Sequence, residues 1–268
     1  MRIGALVPIR LASERLPGKA LIKICNRPMC FHLLDRVLAS KFIDDPKNIV
    51  VCTTCDASDD ELIAPIEAYG CSIFRGATDD IIRRFSDAMA AFDLDYVIQA
   101  DGDDPLSATE YMDQTMDTLL KNTDVDIVTI KGLPLGCATK SFSRNAMSKV
   151  MAAYKTKKND TGFIYFFTKS GLCQHLEIVC KDPAHQNSEA RLTLDYPADL
   201  RVFKAIFEEC YVPREKPASL ATIIDFLEKN PELIKENQHV EKEYWQRTAE
   251  RAQLEYRNAD GNLESIKV

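Results

Sequence analysis

Ile3-Gly4-Ala5-Leu6-Val7-Pro8-Ile9-Arg10-Leu11-Ala12-Ser13-Glu14-Arg15-Leu16-Pro17-Gly18-Lys19 begins as an apolar run and ends as a cationic loop. Residues 3–7 have the length and residue types of a buried strand. The segment from Pro8 to Lys19 therefore hangs from the carboxyl end of the first strand, where open α/β sheets bind ligands. Arg10, Arg15 and Lys19 put three cations within ten residues. Pro17 and Gly18 turn the backbone, and Gly18 permits close approach to a ligand. Charges so closely placed on a short, constrained loop read as aimed at one polyanion, most simply a triphosphate. The plainer alternative is a solvated loop whose arginines pair with nearby acids. Neither G-x-x-x-x-G-K-S/T nor G-x-G-x-x-G is present. Side chains would therefore grip phosphate, with backbone amides assisting.

Outward from this loop, apolar runs alternate with helical patterns. Strands are predicted over 3–7, 49–53, 72–74, 96–99 and 125–130. Helices are predicted over 28–40, 59–69, 79–92 and 107–121, the last with Ser107 as N-cap and Glu110 completing a capping box. Such alternation implies an α/β fold, a mostly parallel sheet flanked by helices on both faces. Beyond Gly132 the pattern loosens. Short strands are expected over 138–142, 163–167, 177–180 and 191–194, and helices over 144–154 and 197–208. From Ser219 the chain reads as helical and charged, with Trp245 and Tyr256 as possible anchors. The expected organisation is a domain over 1–210 and a helical C-terminal extension over 211–268.

Composition narrows the function. The chain has 268 residues, 46% of them hydrophobic, enough for a full core. A net charge of −7 argues against general nucleic-acid binding while leaving room for one local basic pocket. No apolar run is long enough to span a bilayer, and Met1 leads straight into a strand rather than a signal peptide. Nine scattered cysteines read as reduced thiols of a cytoplasmic protein. Cys52 and Cys55 form a lone C-x-x-C, and the four histidines show no ligand spacing, so core or incidental cysteines are expected.

Two acidic segments complement the cationic loop. Gln99 to Pro105 reads Q-A-D-G-D-D-P, with Asp101, Asp103 and Asp104 directly after the fourth strand. Carboxylates this close repel unless a cation joins them, and hard oxygen ligands suit Mg²⁺. An ordinary Asp-Gly turn is the alternative. Far downstream, Arg191 to Leu200 reads R-L-T-L-D-Y-P-A-D-L. Here Asp195 ends a strand-like run and Pro197 starts a helix. Asp195 could close a metal site with Asp103 or cap the helix.

These three segments, in this order and at these separations, resemble the cytidylyltransferases that activate sialic acid and 3-deoxy-manno-octulosonate. The likeness is greatest to their SpsF-like spore-coat polysaccharide relatives. It covers roughly residues 1–210 and includes Arg75-Gly76-x-x-Asp79-Asp80. The resemblance implies a GT-A-like, Rossmann-like fold, often dimeric, that uses CTP and Mg²⁺ to make a CMP-linked product and pyrophosphate. By motif, Pro8, Arg10, Ser13, Arg15, Lys19 and Asp101 would hold the nucleotide, with Arg10, Arg15, Lys19 and Asp103 carrying the reaction. Asp103 and Asp195 would bind the metal, and Arg75, Asp80 and Gln99 would recognise base and ribose. The expected partners are CTP and a small acidic acceptor, with no nucleic acid or membrane, in a cytoplasmic homodimer.

The acceptor side departs from the relatives. Lys158 to Gly162 reads K-N-D-T-G where many SpsF-like chains have a His-Val-Thr-Pro-like segment, and the loop after the fifth strand reads G-L-P-L-G-C-A-T-K. Gly136, Lys140, Asp160 and Arg191 are the candidate acceptor residues. Transfer to a phosphonate or phosphorylated acceptor stays open, as does a non-catalytic nucleotide-binding regulator.

Overall fold

The layers follow from alternation within the first strand. In a computed structural model describing residues 1–266, β1 (Ile3–Pro8) sends Ala5 and Val7 to one face and Leu6 to the other, all three fully buried. A small hairpin, β2 (Lys23–Ile24) and β3 (Arg27–Pro28), leads into α1 (Met29–Leu38), β4 (Ile49–Thr54), α2 (Ile63–Tyr69) and β5 (Ser72–Gly76). Then come α3 (Ile81–Ala91), β6 (Tyr96–Gln99), α4 (Thr109–Lys121) and β7 (Ile127–Lys131). Next are β8 (Lys140–Ser143), α5 (Arg144–Ala153), α6 (Tyr165–Thr168), β9 (His175–Val179) and α7 (Pro197–Cys210). The rest forms α8 (Leu220–Lys229), α9 (Pro231–Gln238), α10 (Glu241–Arg251) and a hairpin of β10 (Leu254–Arg257) and β11 (Leu263–Ile266).

Seven strands make one sheet in the order β5-β4-β1-β6-β8-β7-β9. Neighbours are parallel except at β8, which runs antiparallel to β6 and β7. Leu6 pairs with Gln99, so the loops after β1 and β6 leave the sheet side by side. Because β8 is reversed, its first residue, Lys140, pairs with Gln99 and reaches the same edge. Both faces are covered. α1 buries Cys30, Leu33, Leu34 and Val37 at helical spacing against one face. α3, α5 and α6 cover the other. α7, α8 and α9 enclose a third core that includes Phe203, Leu220 and Ile234. Each fully buried aliphatic or phenyl side chain contributes about 1.5–3 kcal/mol. No helix among the described residues is long and apolar enough to cross a membrane.

Several elements differ from expectation. The strand expected over 163–167 is a turn leading into α6, with Phe163, Phe166 and Phe167 buried at i, i+3 and i+4. Helical spacing toward the core prevails over aromatic β-propensity. The strand expected over 191–194 joins no sheet. Its extended backbone meets Leu135 in a single bridge, and the Leu194 amide donates to the Asp103 carbonyl at 2.7 Å. The expected capping box does not form, because both of its side chains are engaged elsewhere. α4 starts behind Ala108, Ser107 Oγ donates to the Asp104 carbonyl at 2.9 Å, and Glu110 accepts from the Leu220 amide. The helix expected from Asp59 begins as a 3₁₀ segment, Ala57–Leu62.

The C-terminal extension is helical through Arg251 and then becomes a hairpin, so it is not helical to its end; residues 267 and 268 lie outside the described residues. Leu254, Tyr256 and Ile266 enter the same core as the three phenylalanines. Tyr256 is therefore an anchor, whereas Trp245 remains 46% exposed.

Candidate active site

The cationic loop is pinned from below by an acid the sequence reading passed over. Asp59, almost fully buried, accepts from the Leu11 amide at 2.7 Å and from Thr53 Oγ1 at 3.0 Å. The Gly18 amide closes the loop on the Leu11 carbonyl. Across from it, Gly102 presses the acidic turn onto the end of β1. A Cβ at Gly102 would fall 2.0 Å from the Pro8 carbonyl oxygen, so only glycine fits. Gly136, at φ +92°, packs equally tightly on Leu192, which explains its glycine without a ligand.

Between loop and turn lies a cleft of about 430 Å³. In it the Lys19 ammonium donates to Asp103 Oδ2 and Asp195 Oδ1, each at 3.0 Å, and to the Leu194 carbonyl at 2.8 Å. Arg15 pairs with Asp195, donates to Tyr196 Oη at 3.3 Å and stacks 4.7 Å over that ring. Burial alone would lower the Lys19 pKa, but Asp103 and Asp195 outweigh it and hold it above its usual value. Asp195 moves the other way: burial and then the neighbouring Asp103 charge raise its pKa. Asp104 is raised well above the usual carboxylate range by burial, then by Asp103 and Asp101. Asp103 keeps about a third of its side chain open, at 35%.

Asp195 does not cap α7. That role falls to Asp199, which accepts from the Asp195 and Tyr196 amides at 2.9 and 2.8 Å and is held by Arg191 at 3.0 Å and Asn237 at 2.9 Å. Asp195 is thereby left to face Arg15 and Lys19. No group of three or more His, Cys, Asp and Glu that could hold a metal occurs among the described residues. Mg²⁺ at nucleotide sites takes one or two carboxylates and completes its shell with phosphate and water. Asp103 and Asp195, already bridged by one cation, fit that requirement.

Pro8, Arg10, Ser13, Arg15, Lys19, Asp101, Asp103, Gly136, Lys140, Asp160 and Asp195 all reach the cleft. Lys140 pairs with Asp101, and Arg10 pairs with Asp160 at 2.6 Å. That second pair links the expected phosphate loop to the expected acceptor segment. Four candidates do not line the cleft. Arg75 points back along the sheet edge, donating to the carbonyls of Thr54 and Asp56 at 2.9 Å. Asp80 caps α3 through the Arg83 amide and receives Tyr154 and Asn159. Gln99 is sealed under Asp101, to which it donates at 2.8 Å. Arg191 is fully buried against Asp199, with Tyr244 stacked 4.6 Å away. Its charge is consumed by the interior, so it is not an open acceptor ligand.

The cleft also holds residues that were not anticipated. Arg84 lines it with its guanidinium satisfied by the carbonyls of Cys52, Ala77 and Thr78. From the tail, α10 brings Tyr244, Trp245, Arg247, Thr248 and Arg251 over the opening. Cys52 is buried, Cys55 is exposed, and neither is in a disulfide.

A family model described as cytidylyltransferase matches residues 4–209. The chain is 26% identical to the spore coat polysaccharide biosynthesis protein SpsF of Bacillus subtilis over 87% of this chain and 97% of that protein. It is 29% identical to a 3-deoxy-manno-octulosonate cytidylyltransferase of Pelobacter propionicus, a match spanning 49% of each. The fold superposes on a cytidylyltransferase from Leptospira borgpetersenii with a TM-score of 0.78 at 25% identity, covering 87% of this chain and 97% of that one. Its mostly parallel sheet, its ion-paired cleft and a match over residues 4–209 of 268 place the chain in the cytidylyltransferase family, whose members are CTP-dependent nucleotidyltransferases.

Proposed function

We propose that this cleft transfers CMP from CTP to an acidic sugar, releasing pyrophosphate, in the synthesis of a surface polysaccharide or glycoconjugate. The observation carrying the reading is the Lys19 ammonium held between Asp103 and Asp195, with Arg15 beside it. Cations and acids that neutralise one another across this cleft are the groups a metal–triphosphate complex would separate: the acids turn to the metal, the cations to phosphate. The names of SpsF and of the octulosonate enzyme support a sugar-acid acceptor for polysaccharide.

Mg²⁺ held by Asp103 and Asp195 would neutralise phosphate charge and make the α-phosphorus more electrophilic. Arg15 and Lys19, released from their carboxylates, hold the phosphate oxygens and stabilise the departing pyrophosphate. Arg10 and Lys140 flank the same cleft, where they add positive charge beside the reacting groups. An acceptor oxygen attacks in line, so the protein supplies position and charge rather than a covalent intermediate. A cytoplasmic homodimer belongs to this reading, and sedimentation of the purified chain tests the dimer.

The deciding assay is pyrophosphate release with each nucleoside triphosphate against a panel of acidic sugars, phosphonates and neutral sugars, with Mg²⁺ titrated. The expected result is CTP- and Mg²⁺-dependent release with an acidic sugar. Release with neutral sugars alone would overturn the acceptor class.

A further inference from the structure

We propose that α10 supplies the anion-binding wall of the acceptor site, with Arg247 and Arg251 receiving a carboxylate or phosphonate of the acceptor. This deepens the reading above and rests on it. The cytidylyltransferase match ends at residue 209, so the helix lies outside the matched segment.

Charge bookkeeping in the cleft singles these two residues out. Arg10 has Asp160, Lys140 has Asp101, and Arg15 and Lys19 divide Asp195 and Asp103 between them. Arg84 is sealed by backbone carbonyls. By contrast, Arg247 and Arg251 converge on one carboxylate, that of Glu14, which is 66% exposed. Two guanidinium groups on one acid leave a net positive charge facing water at the mouth. Arginine forks suit carboxylate and phosphonate oxygens, and a partly exposed acid is readily replaced by such a ligand.

The direction of the helix assigns that charge to the acceptor. Tyr244, near the start of α10, stacks on Arg191 and lies 6.0 Å from Arg15, beside Asp195. Arg247 and Arg251 come three and seven residues later, about 4.5 and 10.5 Å along the axis. Past its end, Ala252 abuts Gly162, where a Cβ would fall 2.9 Å from the alanine's. The arginines thus lie between the metal aspartates and the 160–165 segment that lines the other side of the cleft.

Trp245 is the sole tryptophan of the chain and lines the cleft from this helix, so its emission reports ligands there. 3-Deoxy-manno-octulosonate (a carboxylate) and 2-aminoethylphosphonate are titrated separately with CMP and Mg²⁺ present, and the two arms tell the anion types apart. The wild type should give a saturable emission change with at least one of them, and the double variant Arg247→Ala, Arg251→Ala should lose it. In turnover with that acceptor, the variant should raise the acceptor KM roughly tenfold or more while the CTP KM stays within about twofold. The Arg247→Lys, Arg251→Lys variant should recover part of the loss, and CTP calorimetry establishes that both variants are folded. No emission change with either anion, an unaltered acceptor KM, or equal rises in both KM values overturns the assignment. Release with neutral acceptors alone, read from the wild type before any variant, defeats the sugar-acid reading itself and this assignment with it.

Discussion

Replacing Lys19 with methionine keeps the apolar stem and deletes the one charge shared by Asp103 and Asp195. In the native chain that ammonium is 13% exposed and makes three hydrogen bonds, two to carboxylates. Removing one partner of a buried ion pair costs about 3–5 kcal/mol. Asp195 keeps Arg15 and a 3.5 Å contact to Arg191, and Asp103 retains water on its open side, which puts the loss near the lower bound, about 3 kcal/mol. At about 2–4 °C per kcal/mol for a chain approaching this size, the melting temperature in EDTA should fall by about 6–12 °C. Mg²⁺ should then return much of it. A ligand at about 100 times its Kd stabilises by about 2.7 kcal/mol, and in Lys19→Met no ammonium competes for Asp103, while Asp195 is contested by Arg15 and Arg191 alone. In the wild type the ammonium contests the same oxygens, so Mg²⁺ should raise its melting temperature less. Scanning calorimetry of both proteins in EDTA and across a Mg²⁺ titration measures this directly. Equal Mg²⁺ shifts in the two proteins, or an unchanged melting temperature in EDTA, would refute the shared-cation argument.

Asp103→Asn should lose most turnover at every Mg²⁺ concentration while keeping its circular dichroism, because Asp103 is partly open to the cleft rather than part of the core; near-normal rates would move the metal role elsewhere. Gly102→Ala should destabilise by about 3 kcal/mol or more, since its methyl group meets the Pro8 carbonyl backbone at 2.0 Å, and urea unfolding reads the loss. His32 is buried, donates from Nε2 to the Ile24 carbonyl at 3.1 Å, and is held below its ordinary pKa of 6.5 chiefly by burial. The folded state therefore binds fewer protons than the unfolded one below 6.5, so stability should be lost as pH falls through that value. His32→Gln should flatten the acid limb of a urea-midpoint series, and an equally steep limb in the variant would assign the loss to another group.

Much of the fold was legible because its central strands are buried on both faces and its helices carry regular apolar spacing. Residues 49–53 need no partner to read as a strand, since every position is apolar or a threonine. The misreadings fall where tertiary partners override local preference. Phe163, Ile164, Tyr165, Phe166 and Phe167 have strand-like composition, yet the core needs three of the rings on one side. Ser107 and Glu110 have capping-box spacing, yet the acidic turn claims the serine and α8 claims the glutamate. Neither partner is near in sequence, so no local pattern announces it.

At the site, charge was legible in sequence and pairing was not. Arg10, Arg15, Lys19, Asp103 and Asp195 could be found because their density on two loops and a helix start is hard to explain otherwise. Arg191 stands in the same motif as Asp195, and only the fold separates them. Four residues apart, one carboxylate is left to Arg15 and Lys19 while the arginine is spent on Asp199 in the interior. The converse holds for α10. Its arginines sit in an ordinary surface pattern, Glu-Lys-Glu-Tyr-Trp-Gln-Arg-Thr-Ala-Glu-Arg, whose charges read as solvated. They become conspicuous only when the tail, anchored by the Leu254–Arg257 strand in the phenylalanine core, swings the helix over Glu14. A segment whose own sequence says little is thus placed by the burial of its neighbour, and two unremarkable surface cations come to stand at the mouth of the ion-paired cleft.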